Sequence, residues 1–285
     1  MAGTLYVVAT PIGNLEDVTL RALRVLRDVS LIAAEDTRRT ARLLQHYSIS
    51  TPTTSLHEHN ERRKSSSLLA RLSAGESIAL VSDAGTPTIS DPGEGLIAGA
   101  RAAGIRVESI PGPSAVMAAL SASGLPSREF TFLGFPPSRS TDRKAWLATA
   151  VSEPRTVVVF EAPHRILATL AELGRMIGNR QIAVGRELTK AHEELVVGPI
   201  NELVPHFRQP RGEFTLVIPP AERSERSAAP ALSAERLEAE IGRLTEIDGL
   251  STRDAIRRVA ESTGMARNEV YRRFQEARNH GRMPK

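Results

Sequence analysis

The chain has 285 residues, of which 41% are hydrophobic and 25% charged, with a formal net charge of +4 and no cysteine. That balance belongs to an ordinary globular protein, and the length suits two or three domains better than one. The lack of cysteine excludes disulfides, thiolate chemistry and the usual structural zinc patterns. No apolar run approaches the roughly 18 residues that span a bilayer, and Met1 to Val7 reads straight into a strand with no signal-type segment. A cytoplasmic enzyme is the expectation.

In chain order, residues 5–9 read as a strand and 15–27 as a helix, with Val18, Ala22, Val25 and Leu26 on one face and Asn14 as its N-cap. Strand 31–34 follows and ends in Glu35-Asp36. Helix 37–46, a short strand near Thr53, helix 60–72, strand 78–81, helix 95–103 and strand 105–110 complete the first half. Strands alternating with helices of this length predict parallel βαβ units. Ser121-Ala-Ser-Gly-Leu-Pro-Ser127 reads as a linker into a second αβ unit. That unit has strands 156–160, 181–184 and 214–218, helices 144–151 and 164–176, and 193–197 as a further candidate strand. The expected divisions are 1–118, 119–220, a Pro- and Ser-rich tether at 221–230, and a C-terminal helical unit at 231–285. Helices 234–245, 252–262 and 267–278, with Gly264-Met265-Ala266 between the last two, resemble a helix-turn-helix.

Three turn-prone loops each follow an apolar strand: Thr10-Pro-Ile-Gly-Asn14, Ser82-Asp-Ala-Gly-Thr-Pro-Thr-Ile-Ser-Asp-Pro-Gly93 and Pro111-Gly-Pro-Ser-Ala115. In a parallel sheet they gather at the edge where open α/β folds bind ligands. Glycine lets backbone come close to a ligand, and proline fixes the loop in advance. No G-x-G-x-x-G follows the first strand and no G-x-x-x-x-G-K-[ST] occurs, which disfavours a phosphate-cradling nucleotide site.

Thr10-Pro-Ile-Gly-Asn-Leu15, Ala33-Ala-Glu-Asp-Thr-Arg38, Leu80-Val-Ser-Asp-Ala-Gly-Thr-Pro87 and Arg186-Glu-Leu-Thr-Lys190 stand in a specific order and spacing. Together they resemble the S-adenosylmethionine-dependent tetrapyrrole methylase superfamily, and within it the branch of bacterial small-subunit ribosomal RNA 2′-O-ribose methyltransferases. The resemblance runs from about Leu5 to Ile218 and continues more weakly in the tail. It implies two αβα domains with S-adenosylmethionine folded in the cleft between them, and a homodimer. It also implies a ribose of 16S rRNA in the 30S subunit as substrate, at cytidine 1402. Carried over position by position, it places Pro11 and Gly13 on the cleft floor. Ala84, Gly85, Thr86 and Ile89 meet the methionine and ribose portions, Ser114 and Ala115 form the far wall, and Glu161 and Leu188 contact the nucleoside end.

The chain also departs from the superfamily. Tetrapyrrole methylases typically carry an acidic residue after the first loop glycine, where this chain has Asn14, and Gly-Gly-Asp-Pro where it reads Ala84-Gly-Thr-Pro87. Its carboxylate comes earlier, at Asp83. These departures count against a porphyrin-type substrate. They leave a small-molecule tetrapyrrole methylase as one alternative, and a non-catalytic ribosome-associated protein as another.

Methyl transfer is an in-line displacement, so orientation of the acceptor can supply about 7–11 kcal/mol of the barrier. Glu35 and Asp36 end a strand that opens onto the cradle, and either can serve as base toward a ribose hydroxyl. Asp36 matches a catalytic aspartate of some tetrapyrrole methylases, and it equally fits the N-cap of the helix starting at Thr37. Arg38 is placed to hold an RNA phosphate or to pair with an acid. Arg165, Arg186 and Lys190 match the branch and read as RNA-backbone contacts, with pairing of Arg186 to Glu161 or Glu187 as the alternative. Gly212-Glu213-Phe214 is expected to close over the adenine. His57-Glu-His59 lacks the helical spacing of a zinc protease site, and no metal is expected.

From Ser251 to Lys285 nine Lys or Arg face four Asp or Glu, and nearly all the cations are arginine, which pairs bidentately with phosphate. Arg272 and Arg273, beside Tyr271 and Phe274, read as an RNA-gripping face. The alternative has the aromatics in a small core and the arginines solvated.

Overall fold

The computed structural model describes residues 2–220, 234–246, 249–263, 265 and 267–280. The chain forms two compact units, one up to Pro220 and one beyond it.

The first unit holds two five-stranded sheets. Sheet one comprises β1 (Thr4–Val8), β2 (Leu31–Ala34), β3 (Thr53–Ser55), β4 (Ile78–Val81) and β5 (Arg106–Ile110), in the order β3-β2-β4-β1-β5. Every pairing in it is parallel. Successive strand residues point to opposite faces. Ile32 and Ala34 therefore pack with α1 (Leu20–Asp28) and α2 (Thr37–His46), while Leu31 and Ala33 pack with α3 (Glu61–Ser73) and α4 (Glu94–Ala102). Burial on both faces explains the unbroken apolar runs of β2 and β4.

Two local readings change. Asn14 caps only a 3₁₀ turn, Leu15–Asp17, and α1 begins at Leu20 with Thr19 Oγ1 accepting from the Ala22 amide at 3.1 Å. Two cap-competent residues stand in succession here, and extended backbone at Val18 separates their turns. Ser121 to Ser123 are not a linker but the last turn of α5 (Ala115–Ser123). Their hydroxyls donate back to the carbonyls of Ala118 and Leu120, and left-handed Gly124 (φ +66°) ends the helix.

The second sheet comprises β6 (Phe130–Phe132), β7 (Thr156–Glu161), β8 (Gln181–Arg186), β9 (Glu194–Pro199) and β10 (Phe214–Ile218), in the order β6-β7-β10-β8-β9. Only β6 and β7 pair in parallel; the others are antiparallel. α5 covers one face through Val116, Ala119 and Leu120 against Val158, Ala183 and Val217. The other face carries α6 (Ser140–Ser152), α7 (Ile166–Ile177) and α8 (Ile200–His206). The helix that spans the expected division at residue 118 is thus part of the second sheet's packing. The result is two αβα layers with a cleft between them.

The second unit is a helical cluster of α9 (Ala234–Glu246), α10 (Thr252–Thr263) and α11 (Arg267–His280) around Leu237, Ile241, Val259, Val270 and Phe274. The expected tether at 221–230 and the turn residues Gly264 and Ala266 lie outside the described residues. No described helix is long and apolar enough to cross a membrane.

Candidate functional site

The three loops meet at the carboxyl edge of sheet one. Thr10 donates its amide to the Gly85 carbonyl at 2.9 Å, and Gly85 returns the bond to the Thr10 carbonyl at 3.0 Å. Gly85 has φ +81°, and beyond it Thr88 (+72°), Ser90 (+70°) and Gly93 (+121°) are also left-handed. For non-glycine residues such conformations cost of order 1–3 kcal/mol each and collect at ligand sites.

Between the sheets lies a cavity of about 420 Å³, within the range of small-molecule sites. Glu35, Asp83, Ala84, Gly85, Thr86, Ile89 and Asp91 line it from sheet one, and Ser114 and Ala115 from the start of α5. Phe135, Phe160, Glu161, Leu188 and the opening of β10 at Glu213, Phe214 and Thr215 line it from the other side. Pro11 and Gly13 are not in its wall. Pro11 borders an adjoining cavity of about 380 Å³. Gly13 lies beneath the Lys190 side chain, so close that an added Cβ would sit 2.2 Å from Lys190 Cγ.

The cavity wall is acidic. Glu35 accepts the Asp83 amide at 3.1 Å, and Asp83 accepts the Asp36 amide at 2.9 Å while standing 3.4 Å from Arg39. Burial pushes the Glu35 carboxyl up, opposed by the Asp83 amide and Arg39. Burial also pushes Asp91 up to about 6, with the Ser82 hydroxyl opposing and the charges of Glu35 and Asp83 adding to the rise. Asp36 behaves oppositely. It caps α2 by accepting the Arg38 amide at 2.8 Å and grips the Arg38 guanidinium at 3.0 and 2.7 Å, which holds its carboxyl far below the usual range. It does not line the cavity.

At the second sheet, Glu161 is 1% exposed. It accepts from the Thr169 hydroxyl at 2.6 Å and the Ala162 amide at 2.8 Å, and pairs with Arg165 at 2.9 Å. Arg165 also donates to the Pro136 carbonyl at 3.1 Å. Arg186 pairs with Glu194 at 2.8 Å, and Lys190 bonds Glu187 at 2.8 Å and Glu213 at 2.9 Å. The alternative pairing of Arg186 with Glu161 or Glu187 gives way to these partners. Arg38, by contrast, is 89% exposed.

Sequence reasoning missed Asp91, although it lies in the cradle loop from Ser82 to Gly93, and the Phe135–Phe160 ring pair at 5.4 Å. A ring pair drawn from separate elements leaves no local pattern. His57 bonds Asn60 and lines neither cavity. Among the described residues no group of His, Cys, Asp and Glu could hold a metal ion. In the helical unit, Arg272 and Arg273 share Glu269 at 2.8 and 2.7 Å, Phe274 is buried and Tyr271 is 53% exposed.

Residues 4–204 match the model of a family described as Tetrapyrrole (Corrin/Porphyrin) Methylases. Ribosomal RNA small subunit methyltransferase I of Synechocystis sp. is 47% identical over 272 residues, spanning 94% of this chain and 96% of its own. The protein of that name from Pseudomonas aeruginosa is 46% identical over 275 residues, spanning 95% and 96%. Among solved structures, the methyltransferase CobJ aligns with a TM-score of 0.60 at 19% identity, covering 76% of this chain and 95% of its own. Uroporphyrin-III C-methyl transferase from Thermus thermophilus, complexed with S-adenyl homocysteine, aligns at 0.55 and 19%, covering 75% and 97%. At that identity these two speak for the fold alone. The chain belongs to the tetrapyrrole methylase family and, within it, to the ribosomal RNA small subunit methyltransferase I proteins.

Proposed function

We propose that this protein transfers a methyl group from S-adenosylmethionine to the ribose 2′-oxygen of cytidine 1402 in 16S rRNA, acting on the 30S subunit in the cytoplasm. The observation that carries the reading is the cavity itself: acidic at Glu35, Asp83 and Asp91, apolar at Ile12, Leu188 and Phe160. S-adenosylmethionine is cationic at its ammonium and sulfonium and flat and weakly polar at its adenine, so both kinds of wall find a counterpart. Gly85 adds bare backbone, since a Cβ there would meet only Ile12 at 3.5 Å and the Pro113 carbonyl at 3.9 Å. When bound, the cofactor supplies an electrophilic methyl for in-line displacement.

The chain's own residues then bind, orient and accept a proton. Asp83, Ala84, Gly85, Thr86 and Ile89 hold the methionine end, Ser114 and Ala115 back it, and Leu188, Phe214 and Thr215 close on the nucleoside. Glu161 keeps the Ala162-Pro163 turn in place, with Arg165 positioning it. Gly13 lets the first loop pass close beneath the Lys190 side chain, and Pro11 stiffens that loop where it borders the adjoining cavity. Of the two adjacent carboxylates, Glu35 is the better base, because it faces the cavity and burial raises its proton affinity. Asp36 fixes the start of α2 and holds the guanidinium of Arg38, whose exposed side chain meets RNA. Arg272 and Arg273 on α11 add a second basic contact, and Arg186 and Lys190 hold the loop between β8 and β9.

A homodimer is part of the same proposal. Leu20 and Met117 are 85% and 52% exposed, and Met117 lines a surface hollow of about 580 Å³ beside Thr19. Light scattering of a Leu20→Asp, Met117→Asp variant should give half the wild-type mass.

The decisive experiment supplies tritiated S-adenosylmethionine and 30S particles from cells lacking this protein, then maps 2′-O-methylation. Incorporation at one cytidine ribose is the expected result. Label on a base, or transfer to a uroporphyrinogen-type substrate in place of RNA, overturns it.

A further inference from the structure

The smaller cavity adjoining the first has no role in what precedes. Its walls come from the first loop (Thr10, Pro11), from α2 (Arg39, Arg42) and from Lys190. It shares Arg39, Asp83 and Glu213 with the larger cavity, so the Arg39–Asp83 pair stands between the two spaces. Their charges differ in sign. Five carboxylates and one guanidinium line the larger space: Glu35, Asp83, Asp91, Glu161 and Glu213 against Arg39. Three cations and two carboxylates line the smaller: Arg39, Arg42 and Lys190 against Asp83 and Glu213. A space suited to a cation thus opens, across one ion pair, onto a space suited to an anion.

Arg39 and Arg42 are three residues apart on α2 and so share a face. Arg42 is exposed and makes no ion pair among the described residues, whereas Lys190 is tied to two glutamates. We propose that the smaller cavity is the acceptor chamber, receiving one phosphodiester-linked nucleotide of a single-stranded RNA segment. Arg42 meets its phosphate, Arg39 swings between that phosphate and Asp83, and the ribose is directed at the partition shared with the larger cavity. This rests on the methyl-transfer reading above and adds where the acceptor enters. A single-stranded segment fits because a ribose can enter a pocket of this size only when the strand is splayed out of a helix.

The test compares wild type with Arg42→Ala and Arg42→Lys, and with Arg101→Ala on α4, an exposed arginine away from either cavity. Three readouts are taken: S-adenosylhomocysteine affinity by calorimetry, KM for unmethylated 30S particles, and the slope of log affinity for them against log salt. Arg42→Ala should keep cofactor affinity and raise KM for RNA roughly tenfold. It should also flatten the salt slope by about 0.7 to 1, the effect of one lost phosphate contact. Arg42→Lys should recover most of the KM, and Arg101→Ala should resemble wild type. An Arg42→Ala enzyme with wild-type KM and salt slope overturns the assignment. So does one that loses cofactor affinity, which would make the cavity part of the cofactor site. Failure of wild type itself to methylate the particles would instead remove the methyl-transfer reading, so the two failures are separable.

Discussion

The cleft of the first unit and the helix α11 of the second both concentrate charge, and they do so by opposite means. In the cleft, the carboxylates of Glu35 and Asp83 accept amides 48 and 47 residues away in sequence, those of Asp83 and Asp36, next to left-handed backbone at Gly85, Thr88 and Ser90. On α11, Arg272 and Arg273 pair with Glu269 three and four residues back, on a solvent-facing surface. Exposed pairs at such spacing contribute only a few tenths of a kcal/mol. Non-local geometry is specific and fragile; local geometry is replaceable and additive. Substitutions in the cleft should therefore be large and single-site, and those on α11 small and cumulative.

The largest contrast is expected at Glu161. Glu161→Ala leaves Arg165 and Thr169 without their buried partner, and breaking such a pair costs about 3–5 kcal/mol. Thermal unfolding should show it as a marked fall in Tm, with Glu161→Gln intermediate because it keeps hydrogen bonds. A Tm within one or two degrees of wild type for Glu161→Ala would place the fragility elsewhere. Next comes Gly85→Leu. Its side chain would enter the cavity, from a backbone at φ +81° that leucine rarely adopts. S-adenosylmethionine affinity should drop at least about 100-fold, roughly 2.7 kcal/mol, with the strand cores intact. Undiminished binding would remove the cradle from the cofactor.

Ending the chain at residue 220 probes the other side of the comparison. Every cavity-lining residue of the cleft precedes that point, so cofactor affinity should change little. RNA affinity should fall on the order of tenfold and its salt dependence should become shallower. Arg272→Ala with Arg273→Ala should reproduce part of this, a slope change of about one to two if each meets a phosphate. A stable truncation with unchanged RNA affinity and slope would end the gripping role of the second unit.

The same contrast explains what was legible beforehand. β1, β2 and β4 could be read because strands covered on both faces are apolar runs, and the loops after β1 and β4 follow from Gly and Pro chemistry. Asp36 as a cap is likewise a local pattern. What depended on distant partners could not be read: that Arg165 belongs to Glu161, that Lys190 crosses Gly13, and that Asp91 joins Glu35 in one wall. β6 is three residues long and α8 contains Pro205, so neither gives a periodic signal. Ser121 to Ser123 misled because serine hydroxyls bonded back to the helix look like loop composition.

The smallest expected effect is the most informative about the acidic wall. Asp91 is shifted from an ordinary value of 3.8 to about 6, chiefly by burial, with Glu35 and Asp83 adding to the rise. A raised acid holds its proton in the folded chain after the unfolded chain has released it. Its contribution to stability is therefore complete below pH 3.8 and is lost as pH climbs through 6. Asp91→Asn removes that loss, and after allowing for solvent screening it should stabilise the protein by about 1 kcal/mol at pH 7 and by almost nothing near pH 3.5. Ligand binding turns the sign into a test of the cofactor's orientation. A bound ammonium near Asp91 favours the ionised carboxylate, so binding releases a proton and cofactor affinity rises several-fold between pH 5 and 7. In Asp91→Asn that rise should shrink to the part carried by Glu35, which burial also raises. Calorimetry in two buffers of different ionisation enthalpy counts the released proton directly. A wild-type affinity that is flat or falls across this range would mean that the cation of the cofactor lies away from the Asp91 wall. The methionine end would then have to be placed at Ser114 and Ala115 instead.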